Sequence, residues 1–189
     1  MALPLAIDHV VIAVRDLERA AADFRALGFT LTPRGHHSIG SQNHCIMFRS
    51  TYIELLAAPV SHPWLDYYRS FGEGLAAVAF STDDADAAAR ELGAKAPMDL
   101  SRPVDGGVAR FRLVQLEGTP QVFVCQHLTR DLVWRAQWQN EGEIIGVAMP
   151  MHQPVQGLPS NIEWNKPAAL RIRGNGKTTE AHGVRLEYC

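Results

Sequence analysis

One pattern occurs twice in this chain: an apolar strand, a helix, and then further strands. The first copy begins with the run 7–14 and continues into a helical segment that Asp16 starts and Gly28 ends. In the second copy, Asp83–Asp84 and Gly93 bound the helix in the same way. Asp is a favoured N-cap, and Gly is favoured just after a helix. Aligning the helix starts places the copies 68 residues apart, so we expect two related units that share one core.

Further strand-like runs complete each unit. In the first copy these are residues 29–32, 43–48 and 51–56, and in the second they are 109–116 and 121–125. Residues 117–120 have the composition of a hairpin turn between the last two runs. The connector between the units carries an aromatic cluster that is typical of a short helix with its rings packed inward: Trp64, Tyr67, Tyr68 and Phe71.

Composition excludes several classes of protein. The chain has 189 residues, 47% of them apolar, and its net charge of −2 is not that of a nucleic-acid or membrane-surface protein. Residues 1–5 have no basic region ahead of an apolar core, so we expect no signal peptide. Three widely spaced cysteines favour a reducing, cytoplasmic location. Cys45 and Cys125 lie in apolar strands and are predicted to be packed, unreactive thiols.

Common catalytic and nucleotide-binding motifs do not occur. The sequence has no Gly-x-Ser-x-Gly, which excludes one common type of serine nucleophile. It also has neither Gly-x-Gly-x-x-Gly nor a P-loop, which argues against a nucleotide cofactor.

The C-terminal part is harder to interpret. Residues 132–139 are predicted to form a helix with Trp134 and Trp138 on one apolar face. A strand is expected at 143–150, and two short strands, 168–173 and 183–188, flank the turn 174–176. The tail is therefore predicted to be a remnant third sheet or an extra hairpin.

At this point the sequence resembles the vicinal oxygen chelate superfamily, and within it the glyoxalase-like proteins. Five stretches carry the resemblance: residues 7–17, 35–37, 42–43, 52–55 and 123–127. The resemblance implies an α+β fold in which two βαβββ units, at about 6–58 and 74–127, form one cup-shaped mixed sheet. It covers roughly residues 6–150 and predicts one domain at 1–150, and residues 151–189 are expected to be a C-terminal extension with a possible β-hairpin.

The resemblance also implies a site inside the cup. In metal-dependent relatives each unit offers one ligand from its first strand and another from its last. Unit one has His9 and Glu54 at these positions, and we expect both side chains to face one cavity. A separation within about 5 Å would favour an enzyme. The 68-residue offset leads in unit two to Ala77 and Val122, with Phe123 next along. None of these three can bind a metal through its side chain.

A third metal ligand is needed, because catalytic zinc sites usually have three protein ligands and an open position. The candidates are His37, His44 and His127. His44 depends on the hairpin register. A loop of two residues, 50–51, pairs Glu54 with Met47 and turns His44 to the other face. A loop of three residues pairs Glu54 with Phe48 or Ile46, which puts His44 on the same face. The sequence leaves both registers open.

Two functions follow as hypotheses. The first is a metal-dependent lyase, isomerase or dioxygenase that uses a divalent ion at His9, Glu54, His127 and His37 on a small oxygen-bearing molecule, with Glu54 as the base. The second is a protein that binds a small molecule in the same cup without chemistry, as some relatives do. The missing ligands of unit two favour the second, and His9 with Glu54 favours the first. The resemblance and the apolar Trp134 and Trp138 face predict a homodimer.

Overall fold

The computed structural model describes residues 6–116, 118–153 and 158–189. Two predictions fall on residues outside these ranges. They are the absence of a signal peptide at residues 1–5 and the place of Glu117 in a hairpin turn. Unit one consists of β1 (Ile7–Ala13), α1 (Leu17–Ala26), β2 (Gly35–His36), β3 (Gln42–Met47) and β4 (Tyr52–Ala57). After α2 (Asp66–Phe71), unit two consists of β5 (Gly74–Ser81), α3 (Ala85–Leu92), β6 (Met98–Val104), β7 (Gly107–Gln115) and β8 (Val122–His127). The predicted βαβββ repeat is confirmed.

The two units join edge to edge into one eight-stranded sheet. Its strand order is β2-β3-β4-β1-β5-β8-β7-β6, which reads the same from either end when the units are exchanged. β1 and β5 pair antiparallel at the centre, whereas each is parallel to the last strand of its own unit. At the far edges, the backbone N–H of Ser38 donates to the carbonyl of Ser101 over 2.8 Å. The mixed sheet therefore curls into a nearly closed cup, as the sequence predicted.

Both long helices begin and end where the sequence indicates. Asp16 accepts a hydrogen bond from the backbone N–H of Arg19, and Asp84 accepts one from that of Ala87. Gly93 adopts the left-handed conformation that ends α3. The buried face of α1 is Leu17, Ala20, Ala21 and Phe24. None of the helices within the described ranges is long and apolar enough to cross a membrane.

The cup sheet separates two cores. The outer core joins alternate side chains of β1, such as Val10 and Ile12, to α1 and to the C-terminal strands. The inner core lines the cup with the other side chains of the same strands, including Val11 and Ala13. Tyr52 and Leu56 of β4 also face inward, as alternation along the strand predicts. Polar side chains on the inner face are therefore enclosed by apolar ones.

The C-terminal strands form a second sheet that covers the outer core. It contains β9 (Glu143–Met149), β10 (Ile162–Trp164), β11 (Ala169–Arg173), β12 (Thr179–Ala181) and β13 (Val184–Tyr188). Its order is β10-β9-β11-β13-β12, so the boundary predicted at residue 150 falls between two strands of one sheet. β11 and β13 are parallel and cannot form a hairpin about residues 174–176. The hairpin that the tail does contain joins β12 to β13.

Two local predictions were wrong. The segment 132–139 is not one helix, because a short α4 (Arg130–Val133) and a 3₁₀ turn (Ala136–Trp138) are separated by non-helical residues. Trp134 and Trp138 both pack against the inner core, so they do not form the exposed apolar face of one helix. The homodimer therefore remains a prediction that rests on the family resemblance alone. Residues 29–32 form no strand, since the side chain of Asn140 bonds both the N–H and the carbonyl of Thr30.

Candidate functional site

Unit one places His9 and Glu54 side by side on the inner face of the cup. In the parallel pair of β1 and β4, Val11 lies opposite Glu54, and His9 is two residues away on the same face. The Nε2 atom of His9 is 3.8 Å from Oε2 of Glu54, and both side chains are buried. This separation is within the distance of about 5 Å that favours an enzyme.

A β-bulge turns Asp8 to the same side as His9. Ile7 and His9 pair with consecutive residues of β5, which leaves Asp8 as an extra residue in β1. Ile7 consequently packs in the outer core, although simple alternation predicts it on the face of His9. The Nδ1 atom of His9 donates to Oδ2 of Asp8 over 2.6 Å. The other ring nitrogen of His9 faces Glu54.

His127 contacts Asp8 and not Glu54. Its Nε2 atom donates to the same Oδ2 of Asp8 over 3.0 Å. Burial raises the pKa of Asp8, but hydrogen bonds from His127 and His9 oppose this and hold the pKa well below its usual range. The carboxylate is thus ionised and fixes two imidazoles. The structure thus links His127 to His9 through Asp8, but His127 forms no ion pair with Glu54.

The loop after β2 brings His37 to Glu54 from the other side. Nε2 of His37 is 3.9 Å from Oε1 of Glu54, and its Nδ1 atom is 2.9 Å from Oγ of Ser41. Burial lowers the pKa of His37 to about 4, although the charge of Glu54 acts in the opposite direction. His37 is therefore neutral at pH 7, which is the state in which an imidazole binds a metal.

Each oxygen of Glu54 thus faces one imidazole. Oε1 also accepts a hydrogen bond of 2.6 Å from the side-chain amide of Asn43, which lies in the neighbouring strand β3. Among the described residues, no Lys or Arg forms an ion pair with Glu54. A buried carboxylate is costly unless it is paired, so the remaining electron pairs of Glu54 are available for a proton or a cation.

His44 does not belong to the site. Cys45 lies opposite Glu54, a register that matches neither of the two considered, because the hairpin loop is 49–50 and Phe48 bonds Thr51 across it. His44 consequently points away from the cup. Its Nδ1 donates to the carbonyl of Thr32 and its Nε2 is 3.6 Å from Glu18.

Unit two offers no ligand at the equivalent positions. Val10 lies opposite Val78, and the pairs on either side of them are related by exchange of the two units. The offset of 68 residues between the units is therefore present in the structure as well as in the sequence. Phe123 lies opposite Ala79 as Glu54 lies opposite Val11. The residue equivalent to Glu54 is therefore Phe123 and not Val122. Its ring packs edge-on against that of His9.

The cluster lines a small cavity of about 60 Å³. Its wall is mainly apolar and aromatic, with Trp64, Tyr68, Phe111 and Phe123 among the lining residues. The volume is enough for several water-sized groups, which suits a small ligand. Cys45 and Cys125 are also in the wall, and burial raises the pKa of Cys45 to about 12 and that of Cys125 well above its usual value. Both thiols are packed, as predicted.

His9, His37 and Glu54 are three possible donors for a divalent metal ion, with Glu54 between the two imidazoles. Their ligand atoms do not all lie within 4.8 Å of one another, so the side chains would have to draw together around an ion. Two atoms bound to one ion at about 2.1 Å lie about 3.0–3.4 Å apart, close to the 3.8 and 3.9 Å observed between each imidazole and Glu54. Each imidazole is also held through its Nδ1, which leaves Nε2 for the ion. Two histidines and one carboxylate are a common donor set for first-row metals.

A second group of potential ligands is less suitable. Ligand atoms of Asp8, His9 and Cys125 lie within 4.8 Å of one another. However, Asp8 and His9 are in direct hydrogen-bond contact at 2.6 Å, which leaves no room for an ion between them. A raised pKa also keeps the thiol of Cys125 protonated.

Sequence reasoning missed four polar residues of the cup: Asp8, Ser41, Asn43 and Arg102. Asp8 gave one signal, an acidic residue in an otherwise apolar strand, but alternation assigned it to the other face. Arg102 lines the same cavity from β6, in a part of unit two where the sequence predicted no strand. It is 5% exposed.

The family model for the glyoxalase-like domain matches residues 7–185. A hypothetical protein from Staphylococcus aureus has a similar structure, with 14% sequence identity over 99% of this chain and 100% of that chain at a TM-score of 0.72. Methylmalonyl-CoA epimerase from Mycobacterium tuberculosis is 21% identical over 64% of this chain and 85% of that one, with a TM-score of 0.48. No curated protein matches the sequence.

The paired βαβββ units and the polar cluster inside one half of the cup are the architecture of the vicinal oxygen chelate superfamily. The chain belongs to its glyoxalase-like domain family, since the family model spans nearly the whole sequence. The model also extends through the C-terminal sheet to residue 185, beyond the stretch on which the resemblance was based.

Proposed function

We propose that this protein is a metal-dependent enzyme, a lyase or isomerase, that moves a proton on a small oxygen-bearing molecule. His9, His37 and Glu54 hold the ion in this proposal. One observation carries it: both imidazoles have Nδ1 occupied and Nε2 turned to one oxygen each of a buried carboxylate. Fixed Nδ1 contacts define the nitrogen that binds, which is how proteins prepare histidine for a metal.

A divalent ion held by His9, His37 and Glu54 would supply a Lewis acid, which would lower the cost of removing a proton next to an oxygen of the ligand. Glu54 is the group that takes the proton. Asn43 holds the other side of the carboxylate through its 2.6 Å hydrogen bond. The aromatic wall excludes water, which strengthens electrostatic interactions inside the cavity.

The experiment compares metal binding in variants of the two units. Protein stripped with a chelator is titrated with Mn²⁺ and with Zn²⁺ by calorimetry. Glu54→Gln and His37→Gln are expected to weaken binding about a hundredfold or more, because each removes one of three ligands. Phe123→Leu, at the position equivalent to Glu54, keeps the apolar wall and is expected to change affinity about twofold at most.

Proton transfer is measured on the metal-loaded protein. Hydroxyacetone in D₂O is a suitable probe, since it has two neighbouring oxygens and exchangeable C–H protons. We expect NMR to show exchange that requires Glu54 and survives Phe123→Leu. Equal metal affinity in the wild type and Glu54→Gln contradicts the metal site. Tight metal binding without exchange of this or related hydroxyketones contradicts the base role of Glu54.

A second candidate function is small-molecule binding without chemistry. The observation in its favour is that unit two presents Ala77 and Phe123 where a complete site has ligands, so half of the cup is purely apolar. If the stripped protein binds no divalent ion at micromolar concentrations, this function replaces the first.

A further inference from the structure

Arg102 is a buried cation in the cup wall for which the described residues supply no carboxylate. Its side chain comes from β6 of unit two and is 5% exposed. Its Nε atom is buried without a hydrogen-bond partner. The acidic residues in the walls around it, Glu54 and Asp105, form no ion pair with it. In contrast, the more exposed Arg112 pairs with Asp86 and Asp99.

The local backbone makes room for this side chain. At Gly35, an added Cβ would lie 3.0 Å from Nη1 of Arg102 and 2.3 Å from Oδ1 of Asn43. Glycine therefore allows Arg102 to pack across β2 into the cavity. The oxygen of Asn43 beside it is also buried without a partner.

Arg102 keeps its charge in this environment. A guanidinium is not deprotonated in proteins, and a buried charge without a counter-ion is costly. Its field acts on the site: after burial, the main cause, Arg102 further lowers the pKa of His37, and it partly offsets the burial that raises the pKa of Cys45. The positive charge of Arg102 therefore affects groups inside the cavity that contains Glu54.

Arg102 also connects two cavities. It lines the inner cavity of about 60 Å³ and a second one of about 330 Å³ on the side of Arg135 and Trp138. An anion bound by Arg102 thus lies at the boundary between the metal ligands and a wider space. A carboxylate suits this place because its two oxygens match the fork of a guanidinium and because the inner cavity is small.

We propose that Arg102 binds a carboxylate of the ligand and so selects small carboxylic acids for this site. The inference rests on the proposed function for the position of the ligand's reacting end, next to Glu54. The binding of the carboxylate itself needs no metal, so the two proposals are tested separately.

The test uses chelator-treated full-length protein and two probes of equal size, lactate and the neutral lactamide. Calorimetry and tryptophan fluorescence report binding, since Trp64 lines the inner cavity. We expect lactate to bind saturably and at least about tenfold more tightly than lactamide, as a charge-assisted contact requires. Arg102→Met is expected to lose this preference, and Arg102→Lys to keep part of it.

Two controls separate the causes. Arg112→Met removes an arginine that is paired on the surface, and we expect it to bind lactate like the wild type. Glu54→Gln disables the proposed metal site but should keep or improve lactate binding, because it removes a negative charge from the cavity. Absence of metal binding by the wild type together with saturable lactate binding refutes the proposed function alone.

Several results overturn the inference: equal binding of lactate and lactamide by the wild type, no saturable binding of either, or unchanged lactate affinity in Arg102→Met. Tighter binding of inorganic phosphate than of lactate overturns the assignment of a carboxylate. If circular dichroism shows that Arg102→Met does not fold, the inference is tested by two comparisons: lactate against lactamide in the wild type, and lactate binding by Arg102→Lys against the wild type.

Discussion

The two βαβββ units have nearly the same backbone where they meet and quite different side chains there. The pairing of β1 with β5 is symmetric about Val10 and Val78, and each strand has an extra residue at the equivalent place, Asp8 in β1 and Ala76 in β5. In unit one the bulge presents Asp8 beside His9, whereas in unit two it presents Ala76 beside Ala77. The cup is therefore built by both units, but the titratable cluster at its seam is built by the first.

The comparison shows that the bulge belongs to the fold and not to the chemistry. If the bulge existed only to orient Asp8, unit two would have no reason to keep one at Ala76. Both bulges lie in the central antiparallel pair, where added twist helps the sheet to curl. The site in unit one uses a distortion that the architecture requires in any case.

The largest effect on stability is expected at the bulge of unit one. Asp8→Ala leaves His9 and His127 with buried N–H groups that have lost their acceptor. We expect the free energy of unfolding at pH 7 to fall by about 3–5 kcal/mol, as when one partner of a buried pair is removed. Denaturant unfolding measures this change.

The matched variant is Ala76→Gly, which alters the equivalent bulge without breaking a polar contact of its side chain. It is expected to cost about 1 kcal/mol or less, the usual cost of glycine in a strand. Equal losses in the two variants would show that Asp8 contributes only through its backbone position.

A smaller effect is expected from pH, because unit one buries a neutral imidazole at His37. The pKa of this group is about 4 in the folded protein and about 6.5 in an unfolded chain. The folded state binds the proton more weakly, so the stabilisation is complete above about pH 6.5 and is lost as the pH falls towards 4. The difference corresponds to about 3 kcal/mol.

Unfolding by denaturant at pH 7 and at pH 4.5, in the presence of a chelator, tests this prediction. His37→Gln should remove most of the pH dependence that is attributable to this residue. A profile for His37→Gln that is as steep as that of the wild type would show that another group is responsible.

The smallest effect is expected at the thiols, where the two units are alike. Cys45 of unit one and Cys125 of unit two are both buried, and burial raises the pKa of each. Iodoacetamide at pH 8 is expected to modify the exposed Cys189 alone in the folded protein, and all three cysteines after unfolding. Mass spectrometry distinguishes the sites. Rapid modification of one buried thiol would reveal that its unit opens locally.

Local signals were sufficient for much of the fold. The repeat, the helix caps and the inward position of Glu54 follow from residue types at fixed spacing, and His9 could be chosen as its partner from the resemblance. The position of Asp8 could not be predicted, because a bulge depends on how β1 pairs with a strand about 68 residues away.

The remaining errors have similar non-local causes. The register of the β3–β4 hairpin differs from both predicted registers, because its loop lies at 49–50. Residues 48–51 do not specify the position of the loop by themselves. Trp134 packs on Tyr52 and His127 from other strands, and these contacts override the helical spacing of Trp134 and Trp138. Arg102 gave no signal at all, since only the assembled cup shows that its Nε atom is buried without a hydrogen bond from the described residues.

The paired bulges also matter for protein engineering. Ala76 and Ala77 are consecutive, buried, and both in contact with the inner core, and Phe123 stands where Glu54 stands in the other half. A designer who wishes to graft a second copy of the polar cluster therefore starts with a backbone that already turns two neighbouring side chains inward. The graft is a problem of volume and of neighbouring partners, and the main chain needs no redesign at that point.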